Sequence, residues 1–386
     1  MNGGTALSLT ADTTGHAVVA SNAFYGGGLT VTRFNPQGTG VTFSRNVAGE
    51  DSGGLAVDAA SNTYFFDSVL PSVANYPARN SLLPCTGGGQ EALTVFDGNG
   101  TILQSTYVQG GPYPLGVFVR PDSTVDLFSG SLAVTHFAQN PLAQTVQLAC
   151  IGSAASWDNT AVSPGEIVSL FGSGLGPATG TQAQLDAAGK FPAEAADVQV
   201  TFNGTPSPLL YVQDSQINAI APWSLQAGQQ AEVCVVYNGT ATNCLHAAVA
   251  AAHHGVFTVA PYMAAALDQD GTLNSASNPA KVGAVVSIFA TGLGAIDPLP
   301  PNGSIVGLPL PVDVLPVSMS TISATQGANI PITVDYAGPA PFEVAGVSQI
   351  NFRVDANVGG LYATFLYVGA SGSEGQSNPF YIYVAQ

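Results

Sequence analysis

The sequence predicts an all-β protein, and three observations lead to this fold class. Short apolar runs alternate with turn residues along most of the 386 positions. The 45 glycines and 26 prolines are spread between these runs, as in a chain of many short strands. Helical periodicity is rare, and its best segment, 180–196, is interrupted by Gly189 and Pro192.

A repeat in the C-terminal part predicts two copies of one domain. The segment GEIVSLFGSGLGP at 165–177 recurs as GAVVSIFATGLGA at 283–295, and the tetrapeptide SQIN occurs at 215–218 and 348–351. The second copy has about 15 more residues between these landmarks, which places an insertion in DPLPPNGSIVGLPLP at 297–311. Each copy has the length of an immunoglobulin-like β-sandwich of about seven strands.

A different repeat occupies the N-terminal part. ADTTGHAVV (11–19), VDAASNTYF (57–65) and VRPDSTVDL (119–127) each read as strand, turn and strand, and LTVTRFNPQGTGVTFS (29–44) matches LTVFDGNGTILQST (93–106). A strand-rich unit of about 45 residues is typical of a β-propeller blade. About three units are present, fewer than the typically 4–8 blades of a closed propeller, so the repeats are expected to form a partial propeller.

These repeats predict three domains. Residues 1–148 hold the propeller-like repeats, 149–262 the first immunoglobulin-like sandwich and 263–386 the second.

Composition narrows the classes of partner. Seven lysines and arginines against 24 aspartates and glutamates give a formal charge of −17, which disfavours nucleic acid and anionic membrane surfaces. No apolar run reaches the length of a membrane-spanning helix, so no membrane insertion is expected.

Four cysteines predict two disulfides. Their number is even and they lack the spacing of a zinc site. Cys234 and Cys244 are predicted to pair across a hairpin whose loop is Asn238-Gly239-Thr240, because a two-residue loop would put them one position out of register. Cys85 and Cys150 would form the second bridge. Disulfides indicate an oxidising compartment, so we expect a secreted protein or one at the bacterial cell surface.

The SQIN motif is predicted to mark equivalent strands and not a duplicated active site. No histidine or lysine lies next to it in either copy, and the acid next to the first copy, Asp214, is replaced by Val347 in the second. Strand alternation places the isoleucines in the core and the amides on the outer face, where they would bind backbone groups of a neighbouring loop. The eight residues of this structural motif are Ser215, Gln216, Ile217, Asn218, Ser348, Gln349, Ile350 and Asn351.

One segment raises the possibility of a metal. Asp268, Asp270 and Asn274 in LDQDGTLN resemble the start of a calcium loop, but Ser277 stands where an EF-hand has its bidentate acid. An Asp-Gly turn is the alternative interpretation. No other cofactor is expected.

No set of residues has the pattern of a catalytic site. The adjacent His253 and His254 point to opposite faces of an extended strand, so they cannot act as a pair. The glycine-rich FGSGLG and FATGLG lack the following helix of a phosphate loop. Trp157 and Trp223 either stack on a sugar or pack at the edge of the core.

Several ordered motifs carry a family resemblance. AASWDNTAVSPGEIVSLFGSGLGP, PLLYVQDSQINAIAPW, GVFT, AALDQDGTLNSASNPAKVGAVVSIFATGLG and VAGVSQINFRV resemble the Solibacter-type C-terminal domain family of acidobacterial secreted proteins, over residues 149–386. The glycine-rich strand and turn of each copy are similar to TIG/IPT-type domains, and the N-terminal units resemble NHL/SBBP-like propeller repeats. This resemblance implies architecture and export and supplies no catalytic residue.

The sequence therefore predicts a non-catalytic extracellular structural, adhesive or assembly module. Its partners would be other surface proteins, extracellular polysaccharide or further copies of itself. The alternatives are a carbohydrate-binding module and a hydrolase with its site in the N-terminal repeats.

Overall fold

The structure is a computed structural model, and the chain forms two compact units, 1–145 and 146–386. It describes residues 5–22, 29–47, 52–69, 91–108, 114–122, 124–130, 134–138, 147–260, 262–322, 329–354, 364–369 and 372–385. These residues contain many antiparallel strands and no α-helix. The all-β prediction is confirmed. None of the described residues belongs to a helix long and apolar enough to cross a membrane.

The first unit contains three antiparallel sheets. The first sheet is formed by β1 (Thr5–Ala11), β2 (Ala17–Asn22), β3 (Leu29–Phe34) and β4 (Val41–Val47). The second is formed by β5 (Ser52–Val57), β6 (Thr63–Ser68), β7 (Glu91–Phe96) and β8 (Ile102–Val108). The third is formed by β9 (Pro114–Val119), β10 (Thr124–Ser129) and β11 (Val134–Ala138). The three strand–turn–strand repeats of the sequence are the first hairpin of each sheet.

The sheets of the first unit stack through two apolar cores. Phe65 and Phe96 of the second sheet pack with Val31 of the first, and β5 contacts both β1 and β9. Tyr64 and Phe66 project from the opposite face of β6 and pack against the third sheet. The second sheet is therefore covered on both faces, which explains why β6 and β7 are almost continuously buried.

A turn built on an aspartate recurs in the sequence repeats at 11–19, 57–65 and 93–106. Asp12 Oδ1 accepts hydrogen bonds from the backbone N–H groups of Thr14 and His16, both at 2.9 Å. Gly15, the fourth residue of the turn, has φ of 90°. The same pair of backbone bonds recurs at three further aspartates: Asp58, Asp97 and Asp186. The D-x-x-G and D-x-x-S signatures are thus local turn chemistry, in which a carboxylate replaces a backbone acceptor.

A buried ion pair joins two of these turns. Arg33, which is 3% exposed, binds the carboxylate of Asp12 and donates to the carbonyl of Ser61 at 3.1 Å. The Ser61 hydroxyl also donates to Asp12 at 3.1 Å. Burial by itself raises the pKa of Asp12, but its hydrogen bonds outweigh this and hold the pKa below its ordinary value. The first and second sheets are therefore linked by charge as well as by apolar packing.

The second unit begins with a copy of the duplicated domain, which consists of two sheets and which we call the first repeat. One sheet joins β12 (Gln147–Ser153), β13 (Ile167–Ser173), β19 (Gln216–Ile220), β18 (Leu209–Val212) and β14 (Thr181–Gln182). The other joins β15 (Glu194–Ala195), β16 (Val198–Phe202), β20 (Gln230–Tyr237), β21 (Thr240–Ala241), β17 (Thr205–Pro206) and β22 (Leu245–Ala248). Alternate side chains of both sheets fill the core between them.

The second repeat has a comparable core. Its larger sheet joins β23 (Gly255–Val256), β27 (Val285–Thr291), β33 (Ser348–Arg353), β32 (Val334–Pro339) and β26 (Ala266–Leu267). A second sheet joins β31 (Asn329–Ile332), β30 (Val317–Ile322) and β34 (Thr364–Val368), and two short pairs are β24 (Thr258–Ala260) with β25 (Met263–Ala264) and β28 (Ile296–Asp297) with β29 (Val312–Asp313). Its core begins at Ala252, earlier than the predicted boundary at 262/263, because β23 pairs with β27.

The SQIN strands occupy equivalent positions in the two repeats. Ile217 pairs with Leu170 and Ile350 pairs with Ile288, in the same register relative to the glycine-rich strand. Both isoleucines are completely buried. The two copies therefore share their central strand pair residue for residue.

The amides of the motif bind each other. Gln216 donates to Asn218 Oδ1 at 2.9 Å, and Gln349 donates to Asn351 Oδ1 at 2.8 Å. The sequence predicted that these amides bind backbone groups of a neighbouring loop. That prediction is wrong for these two hydrogen bonds, which join side chain to side chain. Residues two apart in a strand lie on the same face, so the two side chains meet without a loop.

The Cys234–Cys244 disulfide is confirmed, but the predicted loop is wrong. Strand pairing leaves only Asn238 and Gly239 in the turn, so Thr240 belongs to the returning strand. The φ angles of 49° and 73° at Asn238 and Gly239 are those of a two-residue turn of the kind that Asn-Gly favours.

One extra residue in the returning strand restores the register of the cysteines. Val236 pairs with Ala241 but Val233 pairs with Leu245, so the returning strand advances four residues while its partner advances three. Asn243 lies in this bulge, and its side chain binds a backbone N–H and carbonyl of β12 at 2.9 and 2.8 Å. Bulges re-aim side chains in this way.

Only one cysteine of the second predicted disulfide lies within the described residues. Cys150 is disulfide-bonded, whereas Cys85 lies outside the described residues. The pairing of these two cysteines stays a prediction.

Candidate functional site

The two repeats of the second unit meet through a small apolar core. Ile167 and Ile220 of the first repeat pack with Val344 of the second, and Phe191 and Ile305 complete the contact. This junction fixes the two repeats to each other, so that surfaces on either one are held on a single body.

The insertion predicted from the repeat spacing lies at this junction. The backbone N–H of Phe191 donates to the carbonyl of Gly303 at 2.9 Å, and the N–H of Trp223 donates to Asn302 Oδ1 at 3.2 Å. Gly303 has φ of 73°, and a Cβ there would lie 2.7 Å from the Phe191 carbonyl oxygen. The Asn-Gly pair therefore allows the insert, residues 297–311, to lie close against the first repeat.

The insert and the segments next to it carry exposed apolar side chains. They are Leu299 (56% exposed), Leu308 (71%), Val312 (63%), Val314 (60%) and Phe342 (69%), which we call the insert surface. Phe342 belongs to the β32–β33 loop, and its N–H donates to the carbonyl of Val306 in the insert at 2.9 Å. Exposed apolar side chains on hydrogen-bonded neighbouring segments are typical of an interaction site.

Phe342 has an unusual backbone conformation. Its φ of 63° lies in the left-handed region, which is an outlier for a bulky residue. Hydrogen bonds hold it there, since Val306 also donates to the carbonyl of Glu343 at 2.8 Å and Ala345 donates to Ser304 at 2.8 Å. Strain maintained by surrounding bonds at an exposed aromatic ring points to a functional position.

A histidine and two acids form the strongest charged cluster of the second unit. His253 Nδ1 lies 2.9 Å from Oε1 of the fully buried Glu166, and its Nε2 lies 3.5 Å from both Asp158 Oδ1 and Thr160 Oγ1. The N–H of Ser163 donates to the other Glu166 oxygen at 2.8 Å. Glu166 begins the glycine-rich strand of the first repeat, where the second has Ala284, so the charge is specific to one copy.

This cluster is an ion pair and not a base beside a nucleophile. Burial by itself lowers the pKa of His253, but hydrogen bonds and charge from Asp158 and Glu166 outweigh it and raise the pKa to about 10. The imidazole is then protonated at neutral pH and cannot accept a proton from Thr160. The His253 backbone N–H donates to the Gly292 carbonyl at 2.9 Å, so the pair binds the two repeats together.

His254 points away from His253, although neither residue lies in a strand. Its Nε2 lies 3.2 Å from the carbonyl oxygen of Leu366, inside the second repeat. Burial lowers the pKa of His254 to about 4, so this ring is neutral. The prediction that the two histidines cannot act as a pair agrees with this geometry. Sequence reasoning missed Glu166, although an acid at the start of an apolar strand was the available signal.

A buried acid lies beneath the insert surface. Both carboxyl oxygens of Asp313 are buried without a hydrogen-bond partner, and burial raises the pKa of Asp313 to about 7. Asp313 is the last residue of β29 and lies between the exposed Val312 and Val314 in sequence.

Two acids of the first unit are also buried. Asp67 is completely buried with both carboxyl oxygens unpartnered, while Glu91 Oε1 accepts a hydrogen bond from Ser129 at 2.8 Å. Burial raises the pKa of both acids. Asp67 pairs across the sheet with Ala92, the neighbour of Glu91, so the two carboxyls lie on opposite faces. They are therefore not arranged as the paired acids of a glycosidase.

The three calcium candidates are occupied by protein hydrogen bonds. Asp268 Oδ1 accepts from the Asn274 amide at 2.9 Å, and Asn274 Oδ1 accepts from the Tyr383 N–H at 2.7 Å. Asp270 Oδ1 accepts from the N–H of Thr272 at 3.0 Å. A calcium site there would have to replace these contacts, and it stays a prediction.

A metal-like cluster elsewhere has another explanation. In the described part of the chain, the group of acid, histidine and cysteine side chains close enough to hold an ion is Glu232 with Cys234 and Cys244. Both sulfur atoms are joined in the disulfide and are not thiolate ligands.

Neither tryptophan forms an open stacking platform. The Trp223 ring lies against Gly165, where a Cβ would come within 2.0 Å of it, beside a small cleft that Leu293 and Ser348 also line. Trp157 packs against Phe171 with ring centroids 5.6 Å apart. Both rings are used in packing.

Comparisons with known proteins add little to this geometry. No protein-family model matches the chain, and no curated protein matches it. Among solved structures, surface glycan-binding protein PbSGBP-B from Prevotella bryantii aligns with 12% identity and a TM-score of 0.20, over 61% of this chain and 42% of that one. SGBP-B from the Bacteroides ovatus mixed-linkage glucan utilization locus, in complex with a heptasaccharide, aligns with 13% identity and a TM-score of 0.27, over 68% and 53%. The chain thus spans about half the length of each, and TM-scores this low carry no argument about function. The Solibacter-type resemblance stays a prediction.

Proposed function

We propose that this protein is a non-catalytic extracellular adhesive module that binds a neutral polysaccharide through the insert surface. The observation that carries the proposal is Phe342, an aromatic ring 69% exposed and held in a left-handed backbone conformation. A backbone already held in one conformation loses little conformational freedom when a ligand binds to its side chain.

The charge of the chain favours a neutral ligand. The net charge is −17. Three described arginines pair with aspartates, at Arg33, Arg120 and Arg353, and Arg45 donates to a backbone carbonyl at 2.9 Å. An anionic polysaccharide would meet a repulsive field, whereas the apolar C–H face of a neutral sugar ring suits an exposed aromatic side chain.

A disulfide supports an extracellular location. The Cys234–Cys244 bridge is characteristic of an oxidising compartment. The non-catalytic assignment is supported by the buried ion pair at His253, which holds the imidazole protonated.

The test is electrophoresis of the protein through gels that contain neutral polysaccharides, a mixed-linkage glucan among them. The wild-type protein should be retarded, and Phe342→Gly should bind at least about tenfold more weakly, which corresponds to about 1.4 kcal/mol. Glycine adopts positive φ without strain, so this variant should keep or gain stability, by up to about 1 kcal/mol.

The matched control is Leu185→Gly, a change at an exposed leucine of the first repeat, 47% exposed and outside the insert surface. It should leave retardation unchanged. A wild-type protein that no neutral polysaccharide retards, or a Phe342→Gly protein retarded like wild type, would contradict the proposal.

A further inference from the structure

The outer face of the third sheet corresponds to the face of the second sheet that is buried against the third. When the sheets are aligned on their first turns, Phe66 of the second sheet corresponds to Phe128 of the third. Phe66 is completely buried against the third sheet, whereas Phe128 is 40% exposed. Asp126 shares this face and pairs with Phe118, which is 55% exposed.

The first sheet lies at the opposite end of the stack. Its outer face corresponds to the faces by which the second and third sheets each pack on the preceding sheet. Leu55 of the second sheet packs on the first sheet, and Val117 of the third sheet packs on the second. The equivalent residue of the first sheet is Leu9, three residues before Asp12, and it is 69% exposed. The stack of sheets therefore ends in two faces that carry exposed apolar side chains, at positions that are covered at the inner contacts.

We propose that the outer face of the third sheet binds the outer face of the first sheet of a second copy of this chain, head to tail. The contact would continue the series of sheet-on-sheet contacts already present twice within one chain. It would cover Leu9 of one copy with Phe118 and Phe128 of the other. The Asp126 carboxylate brings no unpaired charge to the contact, because Arg120 binds it at 2.7 Å. Two different faces that fit each other form a heterologous contact, which yields rings or filaments.

The test measures molar mass by light scattering after size exclusion, over a range of protein concentrations. The wild-type mass should rise with concentration above that of one chain. Leu9→Asp removes one face, and the double change Phe118→Asp with Phe128→Asp removes the other. Each variant alone should remain a monomer, and a 1:1 mixture should form a heterodimer and nothing larger, because one intact face of each kind remains.

This mixing experiment also controls for folding, since two misfolded variants would not restore a defined dimer. Leu185→Asp, at a leucine 47% exposed in the second unit, should associate like wild type. Wild-type protein that stays monomeric throughout overturns the proposal. So does a Leu9→Asp variant that still self-associates, because that result requires a symmetric contact between two third sheets.

Discussion

Raising the pH above 7.5 should weaken the second unit by deprotonating His253. The imidazolium is 11% exposed and lies 2.9 Å from Glu166, which is completely buried. The folded pKa of about 10 is above the unfolded value of 6.5. A group with a raised pKa contributes stability that is complete below the unfolded pKa and is lost as pH rises through the folded one.

The size of the effect follows from the shift. The difference between the two pKa values corresponds to about 5 kcal/mol of stabilisation at low pH. Between pH 7.5 and 9.5 the slope approaches about 1.4 kcal/mol per pH unit, so the free energy of unfolding should fall by about 2–3 kcal/mol over this interval. His254 and Asp313 do not contribute there, because their folded pKa values are about 4 and about 7.

Guanidinium unfolding followed by tryptophan fluorescence measures this directly. The two tryptophans of the chain, Trp157 and Trp223, both lie in the second unit, so they report on it alone. His253→Gln should be less stable than wild type by about 3 kcal/mol at pH 7.5, because it leaves Glu166 buried without a cation.

The His253→Gln variant should also lose the dependence on pH between 7.5 and 9.5. His246→Gln, at an exposed histidine of β22, is the matched control and should keep the wild-type slope. Equal slopes for wild type and His253→Gln would refute the assignment of the buried ion pair.

Two further changes test contacts elsewhere in the chain. Replacing Cys234 and Cys244 together by alanine should lower the free energy of unfolding by about 2.7 kcal/mol, because the bridge closes a separation of 10 residues. Guanidinium unfolding that is unchanged by this replacement would contradict the prediction. Arg33→Met should destabilise the first unit by about 3–5 kcal/mol, measured by thermal unfolding in near-ultraviolet circular dichroism, because it leaves the carboxylate of Asp12 buried without its arginine partner. Arg353→Met breaks an ion pair whose arginine is 55% exposed and should cost less than about 1 kcal/mol, and equal losses for the two arginine variants would contradict the distinction.

The repeats and the strands were predictable because their causes are local. The Asp12 turn and its relatives depend on a side chain that binds backbone groups two and four residues away. The burial of Ile217 and Ile350 depends on the two-residue period of a strand. The spacing between these landmarks also located the insert at 297–311. The turn and strand signals are contained in a short window of sequence, and the spacing is read by comparing two copies of the same segments.

The Cys234–Cys244 hairpin shows where local reasoning reaches its limit. The register argument correctly required one extra residue between the cysteines but placed it in the turn. The structure has it in a bulge at Asn243, whose side chain is bound by the backbone of β12, about 95 residues away in sequence. A contact at that separation decided between two hairpins that the local sequence allows.

The sequence by itself therefore determined the all-β class, the two kinds of repeat and the position of the insertion. Only the tertiary structure decided where the insertion packs: it lies at the junction of the two repeats and hydrogen-bonds to the loop in which Phe342 is held in a left-handed conformation. Tertiary structure also brought His253 to Glu166, 87 residues apart in sequence. Turn chemistry and strand periodicity act between neighbours in sequence, whereas burial, ion pairing and backbone strain depend on which distant segments pack together.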